Sequence, residues 1–207
     1  MLANGTTREW LEAGAAEPDR VGLGLPADRF VWTYSGLSQD LGTAVSAAEL
    51  LGDGFQLLIV GDGALRRRLE QWVARSPAAV VRFTGLVSAR EAARYMRASD
   101  ALLVSLAADP ALGKSIPIKL YDCCAIGRPV VLAAPGEPRR IAEREQFAAV
   151  VDPGDPVALA GALRTLADDE ALRRRLAAAA RDFAGRHLRE SQVDEMDGLL
   201  RQLSERR

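Results

Sequence analysis

Short runs of apolar residues alternate with amphipathic stretches along most of the chain. The apolar runs are bounded by Gly, Pro, Ser or Asp and are rich in Val, Ile, Leu and Phe, which is typical of strands buried in a sheet. Between them, apolar residues recur at three- and four-residue spacing, as on one face of a helix. The predicted strands are Phe30–Tyr34, Phe55–Val60, Val80–Phe83, Ala101–Leu106, Val130–Ala133 and Ala148–Val151.

Helices are predicted between these strands and after the last one. Thr43–Leu51 and Ala64–Arg75 show helical spacing, and Ser88 followed by Glu91 forms a capping box for a helix that runs to Ala98. Strands alternating with helices predict an α/β Rossmann-like fold. It has a parallel sheet of about six strands, helices on both faces and right-handed crossovers. Ligands in such folds bind at the carboxyl ends of the strands, and the long Ala107–Ser115 loop is the predicted floor of a cleft there.

The pattern also divides the chain into three parts. Residues 1–29 have few apolar positions in periodic order and are predicted to be an irregular lead-in. Residues 30–190 form the Rossmann-like domain. Residues 191–207 are predicted to be a C-terminal helix with an apolar stripe made of Val193, Met196, Leu199, Leu200 and Leu203.

Charge and hydropathy exclude several classes of partner. The 27 Lys and Arg balance 28 Asp and Glu, so no net charge favours nucleic acid or acidic lipid. No apolar run approaches the ~20 residues of a membrane span, and the N-terminus lacks a signal-peptide pattern. We therefore expect a cytoplasmic protein that binds no nucleic acid.

Cysteine and histidine usage argues against metal and hydrolase chemistry. Cys123 and Cys124 are adjacent, so we expect buried, reduced thiols rather than a long-range disulfide. His187 is the only histidine, is distant from both cysteines in sequence, and lies in an Arg-rich stretch that we expect to be solvated. A metal centre and a Ser-His-Asp triad are both disfavoured.

The most informative segment runs from Ser115 to Val131. A loop leads to a helix that starts near Pro117 and is ended by Gly127. The free N–H groups and positive dipole of such a helix start form a site for an anion such as a diphosphate. Asp122, one turn deeper, is placed to accept hydrogen bonds from sugar hydroxyls. Lys119 either reaches back to the anion or lies along the helix surface, and both interpretations remain open.

Two better-known nucleotide motifs do not fit. Gly61-Asp62-Gly63 follows a strand, but Arg66 stands where a dinucleotide fingerprint needs its third glycine. Gly113-Lys114-Ser115 has the last letters of a P-loop, but Ala108 stands where the upstream glycine is needed. A nicotinamide-dependent enzyme and a nucleoside triphosphatase are therefore disfavoured.

Taken together, the motifs resemble the C-terminal, nucleotide-sugar-binding domain of group 1 (family 4) retaining glycosyltransferases, which have the GT-B fold. The resemblance covers nearly the whole chain. The matching segments, in order, are Asn4-Gly5, Leu23-Gly24-Leu25-Pro26, Ile59-Val60-Gly61-Asp62-Gly63, Val81–Val87, Ala98-Ser99-Asp100-Ala101, Ile116–Asp122, Gly127–Val131 and Val151–Pro156.

The resemblance implies a donor site for a nucleotide diphosphate sugar, with a UDP-sugar favoured. It implies that Asp122 holds the ribose, that the helix start from Ser115 to Ile118 faces the diphosphate, and that backbone at Leu86 and Val87 meets the base. The full set of expected donor-binding residues is Gly36, Gln39, Asp62, Leu86, Val87, Lys114, Ser115, Ile116, Lys119 and Asp122. No catalytic residue, metal or cofactor is assigned.

The resemblance further implies a hexosyl- or aminosugar transferase of surface polysaccharide or glycoconjugate synthesis. The acceptor-binding N-terminal domain of the family is absent from the 207 residues. We therefore expect that domain as a partner, in the same or another chain. We expect no transmembrane segment in the 207 residues. We expect the missing domain to bring the protein to the inner face of the membrane. Alone, the chain is expected to transfer no sugar.

The sequence departs from the family pattern at three places, two of which, Lys114 and the short Gln39-Asp40 loop, favour an alternative function. Asp122 is one methylene shorter than the usual Glu, Lys114 replaces an earlier Glu, and the Leu37–Leu41 loop carries Asp40 in place of basic residues. The alternative is a non-catalytic Rossmann-like binding or interaction module that has lost transferase activity.

Overall fold

The computed structural model describes residues 4–36, 41–109, 111–193 and 196–197. Within them, six strands form one sheet with the order β3-β2-β1-β4-β5-β6, and every neighbouring pair is parallel. The strands are β1 Phe30–Ser35, β2 Phe55–Val60, β3 Val81–Phe83, β4 Ala101–Ser105, β5 Val130–Ala133 and β6 Ala148–Val151. The predicted α/β fold with a parallel sheet is confirmed.

Helices cover both faces of this sheet. They are α1 Arg8–Ala15, α2 Gly42–Leu51, α3 Arg66–Val73, α4 Ala89–Ala98, α5 Ile118–Ala125, α6 Gly136–Glu145, α7 Pro156–Asp168 and α8 Glu170–Gly185. Alternate residues of a strand point to opposite faces. Leu103 of β4 accordingly packs in the cluster under α2, α3 and α7, whereas Leu102 and Val104 pack in the cluster under α4, α5, α6 and α8.

Local sequence signals set several helix ends as predicted. At the start of α4, Ser88 Oγ accepts a hydrogen bond from Glu91 N at 3.2 Å, and Glu91 Oε2 accepts one from Ser88 N at 3.0 Å. This is the predicted capping box. Gly127 follows α5 with a φ of 67°, a conformation that glycine adopts at little cost, so it ends that helix.

The lead-in is not irregular, contrary to the prediction. It contains α1, whose Trp10 and Leu11 pack against the core cluster that holds α5. Gly14 of α1 approaches the carbonyl of Ala125 so closely that a Cβ at this position would clash with it. Because α1 buries only a narrow stripe, its short apolar pattern gave a weak sequence signal.

The predicted C-terminal helix lies only partly within the described residues. Residues 189–193 and 196–197 are helical. The side chain of Val193 is 65% exposed and that of Met196 is 41% exposed. The other members of the predicted stripe, Leu199, Leu200 and Leu203, lie outside the described residues.

The two cysteines are buried and free, as predicted. Burial raises the pKa of the Cys123 thiol to about 12 and raises that of Cys124 as well. His187, predicted to be solvated, is instead half-buried: its ring lies 4.4 Å from that of Phe183, and Nδ1 is 2.8 Å from the Phe183 carbonyl oxygen. The Arg-rich composition around His187 did not indicate this contact, because the contact arises from the turn that ends α8.

Among the described residues, no helix is both long and apolar enough to cross a membrane. The same part of the chain holds no group of three or more His, Cys, Asp or Glu side chains that could bind a metal ion.

Candidate functional site

A glycine follows each of the first three strands, at the carboxyl edge of the sheet. Gly36, Gly61 and Gly85 have φ values of 98°, 113° and 76°, a region that disfavours every residue with a side chain. A Cβ on Gly61 would lie 3.6 Å from Gly36 Cα, and Gly61 pairs with Gly85 in an isolated antiparallel bridge. The three residues therefore form a glycine floor, a patch where a ligand can approach the backbone directly.

Lys119 lies over one end of the glycine floor. Its Nζ donates a hydrogen bond to Tyr34 Oη at 3.1 Å and lies 4.3 Å from the centre of the Tyr34 ring. A Cβ on Gly36 would come within 3.0 Å of Nζ. The ammonium group is thus held at the carboxyl end of β1 rather than extended along the surface of α5.

The first turn of α5 adjoins this ammonium group. Its N-cap is Pro117, and no side chain caps the helix. The N–H groups of the first turn are therefore left without a side-chain acceptor, as at a helix end that receives an anion. The preceding loop is fixed by backbone packing of Gly113 against Pro135 and Gly136. Lys114 and Ser115 of that loop are exposed, and Ile116 is half-buried against the core.

Asp122 lies one turn further along α5. It is half-buried, and its Oδ1 accepts a hydrogen bond from Thr6 Oγ1 at 2.8 Å. Burial raises the pKa of the Asp122 carboxyl, while the hydrogen bond from Thr6 and the nearby charge of Arg189 act in the opposite direction. Desolvation therefore outweighs the two groups that favour the charged form.

The remaining predicted residues lie around the other end of the glycine floor. Asp62 Oδ2 is 3.2 Å from Arg66 Nη1, and Asp62 Oδ1 accepts a hydrogen bond from Gly63 N at 2.7 Å. Leu86 is 85% exposed, whereas Val87 packs against a small core cluster. Gln39 lies outside the described residues.

The glycine floor and the start of α5 together form an open surface, called the shelf below. A deeper groove lies elsewhere. That groove, of about 500 Å³, runs between α1 and α4 and is lined by Trp10, Ala13, Ala93 and Arg94, among others. It shares no residue with the glycine floor. We place the candidate site on the shelf because Gly36, the uncapped helix start and Lys119 meet there, and Asp122 lies one turn further along α5.

Comparison with known proteins identifies the family. The family described as glycosyl transferases group 1 matches residues 37–169. The chain belongs to this family. It is 32% identical over 163 residues to the lipopolysaccharide core biosynthesis glycosyltransferase LpsD of Rhizobium meliloti, an alignment that covers 77% of this chain and 45% of LpsD.

Solved structures of glycosyltransferases share the fold of this group 1 domain. Sucrose-phosphate synthase from Thermosynechococcus elongatus matches with a TM-score of 0.81 and 27% identity, over 100% of this chain and 53% of the synthase. Anabaena HepE, solved in complex with UDP-glucose, matches with a TM-score of 0.73 and 21% identity, over 97% of this chain and 54% of HepE. The chain thus corresponds to one Rossmann-like half of a GT-B fold and spans about half the length of these relatives.

In this group 1 domain, the structure brings together some of the predicted residues and separates others. Gly36, Lys119 and the start of α5 meet at the carboxyl end of β1. Asp62 and Leu86 lie at the ends of β2 and β3 instead. In the predicted Ala107–Ser115 loop, described residues 111–115 lead into α5, and the floor itself is made by the glycines.

Sequence reasoning missed Thr6 as the partner of Asp122, and it missed Arg66, whose Nη1 would lie 3.1 Å from a Cβ on Gly85. It also left Gly61 and Gly85 out of the site. The recurrence of glycine one or two residues after three strands was the signal available for these two.

Proposed function

We propose that this chain is the donor-binding half of a retaining glycosyltransferase and binds a nucleotide diphosphate sugar, with UDP as the favoured nucleotide. The observation that carries the proposal is the position of the Lys119 ammonium group. It is held by Tyr34 at the carboxyl end of β1, beside the uncapped first turn of α5 and above the glycine floor.

The diphosphate would occupy the space between Lys119 and Gly36. The first-turn N–H groups of α5 offer hydrogen bonds and the positive end of the helix dipole, and Lys119 adds a full charge. The absence of a side chain at Gly36 lets the phosphate oxygens come close to the backbone. In this arrangement Lys119 takes the role that the basic residues after the first strand have in the family pattern.

The nucleoside would extend from the diphosphate along the shelf. Asp122 lies one turn into α5 and would accept hydrogen bonds from the ribose hydroxyls. The backbone at Leu86 and Val87 would meet the base. The complex of HepE with UDP-glucose supports a UDP-sugar as the ligand class, because HepE shares this fold.

The chemical role of this half is to stabilise the leaving diphosphate. Negative charge develops on the diphosphate as the bond to the sugar breaks, and Lys119 and the start of α5 would stabilise it electrostatically. We assign no nucleophile on the chain. The transferred sugar is a hexose or an aminosugar, destined for a surface polysaccharide or glycoconjugate, a class that the name of LpsD supports.

A second domain would bind the acceptor. The chain spans 45% of LpsD and 53% of sucrose-phosphate synthase, so we propose that an N-terminal domain in the same or another chain forms the other wall of the cleft. We place the complete enzyme in the cytoplasm, at the inner face of the membrane. The part described here would transfer no sugar alone, because catalysis requires donor and acceptor to be held together away from water.

Calorimetric titration of UDP tests the proposal. Lys119→Met keeps an unbranched apolar stem against Tyr34 and removes the ammonium group, with its charge and its hydrogen bond to Tyr34. We expect about tenfold or more loss of affinity, the scale of a charge-assisted hydrogen bond. Arg174→Ala is the matched control. Arg174 is an exposed cation of α8 paired with Glu170, and it shares a groove with Asp100 and Pro129 at the opposite edge of the sheet.

Saturable UDP binding that Lys119→Met weakens and Arg174→Ala leaves unchanged supports the proposal. Equal affinities of the parent and Lys119→Met would show that the ammonium does not contact the diphosphate. No binding of any nucleotide diphosphate would favour the alternative, a module that has lost transferase activity.

A further inference from the structure

We infer that Thr6 is a positioning residue that orients the Asp122 carboxylate toward the ribose of the donor. This inference rests on the proposed function, since it assumes that Asp122 contacts the ribose. Thr6 is 116 positions away from Asp122 in sequence and contacts it only through the fold.

The backbone of Thr6 is held by two hydrogen bonds to residues 187–189. Thr6 is fully buried and forms an isolated parallel bridge with Leu188. Its N–H donates to the His187 carbonyl at 3.0 Å, and its own carbonyl accepts from Arg189 N at 2.9 Å. These two hydrogen bonds fix the backbone of Thr6, and this fixes the position from which its side chain contacts the carboxylate of Asp122.

The hydrogen bond from Thr6 fixes a side chain that would otherwise rotate. The backbone of Asp122 is fixed in α5, but its carboxylate can turn about two side-chain torsions. Thr6 Oγ1 donates to Oδ1 at 2.8 Å, a charge-assisted bond that selects one orientation. Among the described residues, Thr6 is the only hydrogen-bond donor to this carboxylate.

The second oxygen of Asp122 remains available. Oδ2 accepts no hydrogen bond from a described residue, and it is not among the buried polar atoms that lack a partner, so it is not closed off from solvent. Arg189, whose charge favours the ionised form of Asp122, is itself anchored by its Nε donating to the Gly5 carbonyl at 2.7 Å. One oxygen is therefore held and the other is free to accept a ribose hydroxyl.

The test compares two ligands on each variant: UDP and a UDP analogue that lacks both ribose hydroxyls. The ratio of their dissociation constants reports the ribose contact alone. A partly unfolded variant raises both apparent constants by the same factor, so the ratio is unaffected by loss of stability. Asp122→Asn tests the ribose contact, and Thr6→Val removes only the hydroxyl.

We expect the parent to prefer UDP, and Thr6→Val to reduce this preference about three- to tenfold, as loss of one hydrogen bond to a charged group implies. Thr6→Ser should retain the preference. Thr33→Val is the matched control. It removes another buried hydroxyl, which lies 2.5 Å from Ser99 Oγ, just before the amino end of β4 and so away from the carboxyl edge of the sheet, and it should leave the ratio unchanged.

The two possible failures are distinguishable. If Asp122→Asn reduces the ratio and Thr6→Val does not, the positioning role of Thr6 is wrong and the proposed function stands. If the parent and Asp122→Asn show the same ratio, the ribose contact itself is wrong, and the inference falls with it. Thr6→Ala, which leaves the same hydrogen bond unmade with a smaller side chain, gives the same readout if Thr6→Val does not fold.

Discussion

Replacing Gly36 with alanine tests whether the glycine floor and Lys119 act together. The φ of Gly36 is 98°, and an added Cβ would lie 3.0 Å from Lys119 Nζ. The new methyl group would therefore do two things. It would strain the backbone, and it would push the ammonium away from the space above the floor, since Nζ is the movable end of a flexible side chain.

The two effects have different magnitudes and different readouts. A side chain in the left-handed region costs about 1–2 kcal/mol, partly offset by the ~0.4–1 kcal/mol that alanine contributes by restricting the unfolded chain. We therefore expect a net loss of about 1 kcal/mol in the free energy of unfolding. Complete loss of a charge-assisted contact is worth ~1.5–3 kcal/mol, or about 10- to 150-fold in affinity. Because the lysine can move aside, Gly36→Ala should lower the affinity for UDP less than Lys119→Met does.

Gly154→Ala is the matched control for this experiment. Gly154 has a φ of 82°, and an added Cβ there would meet no atom within 4 Å. Urea unfolding should show a similar destabilisation of both variants, and calorimetry should show weaker UDP binding for Gly36→Ala only. Parent-like affinity of Gly36→Ala would refute the idea that Lys119 binds the diphosphate from this position.

Three further predictions concern other parts of the chain. Ser88→Ala removes the capping box with Glu91 and should lower the free energy of unfolding by ~0.5–2 kcal/mol in urea titrations, with no change in UDP affinity. Cys123 and Cys124 should react with a thiol reagent only after unfolding, because burial raises both thiol pKa values; rapid labelling of the native protein would contradict this. The raised pKa of Asp122 favours its protonated form in the folded state, so its contribution to stability is present below the unfolded pKa and is lost as pH rises through the folded pKa. Urea midpoints of Asp122→Asn relative to the parent should therefore rise from about pH 4 to pH 7, and a constant difference would show that the carboxyl is not desolvated.

The strands could be predicted from sequence because each is a short, mostly apolar run between turn residues. Four of the six strands, β1, β2, β4 and β5, are buried along most of their length by helices on both faces, so their hydrophobic signal is strong and local. The same logic failed for α1. It is held by the packing of Trp10 and Leu11 on the core and by the close approach of Gly14 to Ala125, which are contacts between residues far apart in sequence.

The candidate site was predictable only in part. The start of α5, Lys119 and Asp122 lie in one segment, so local spacing placed them together. The contacts of Lys119 with Tyr34 and of Asp122 with Thr6 span 85 and 116 residues, and no local pattern indicates them. A lone threonine hydroxyl has no sequence signature, so its role emerges only once the fold brings it to the carboxylate.

A crystal structure of the chain with UDP would test the central claim most directly. We expect the diphosphate at the first turn of α5, within hydrogen-bond distance of Lys119 Nζ and above Gly36, with the ribose at Asp122. UDP bound elsewhere, for example in the groove between α1 and α4, would contradict it.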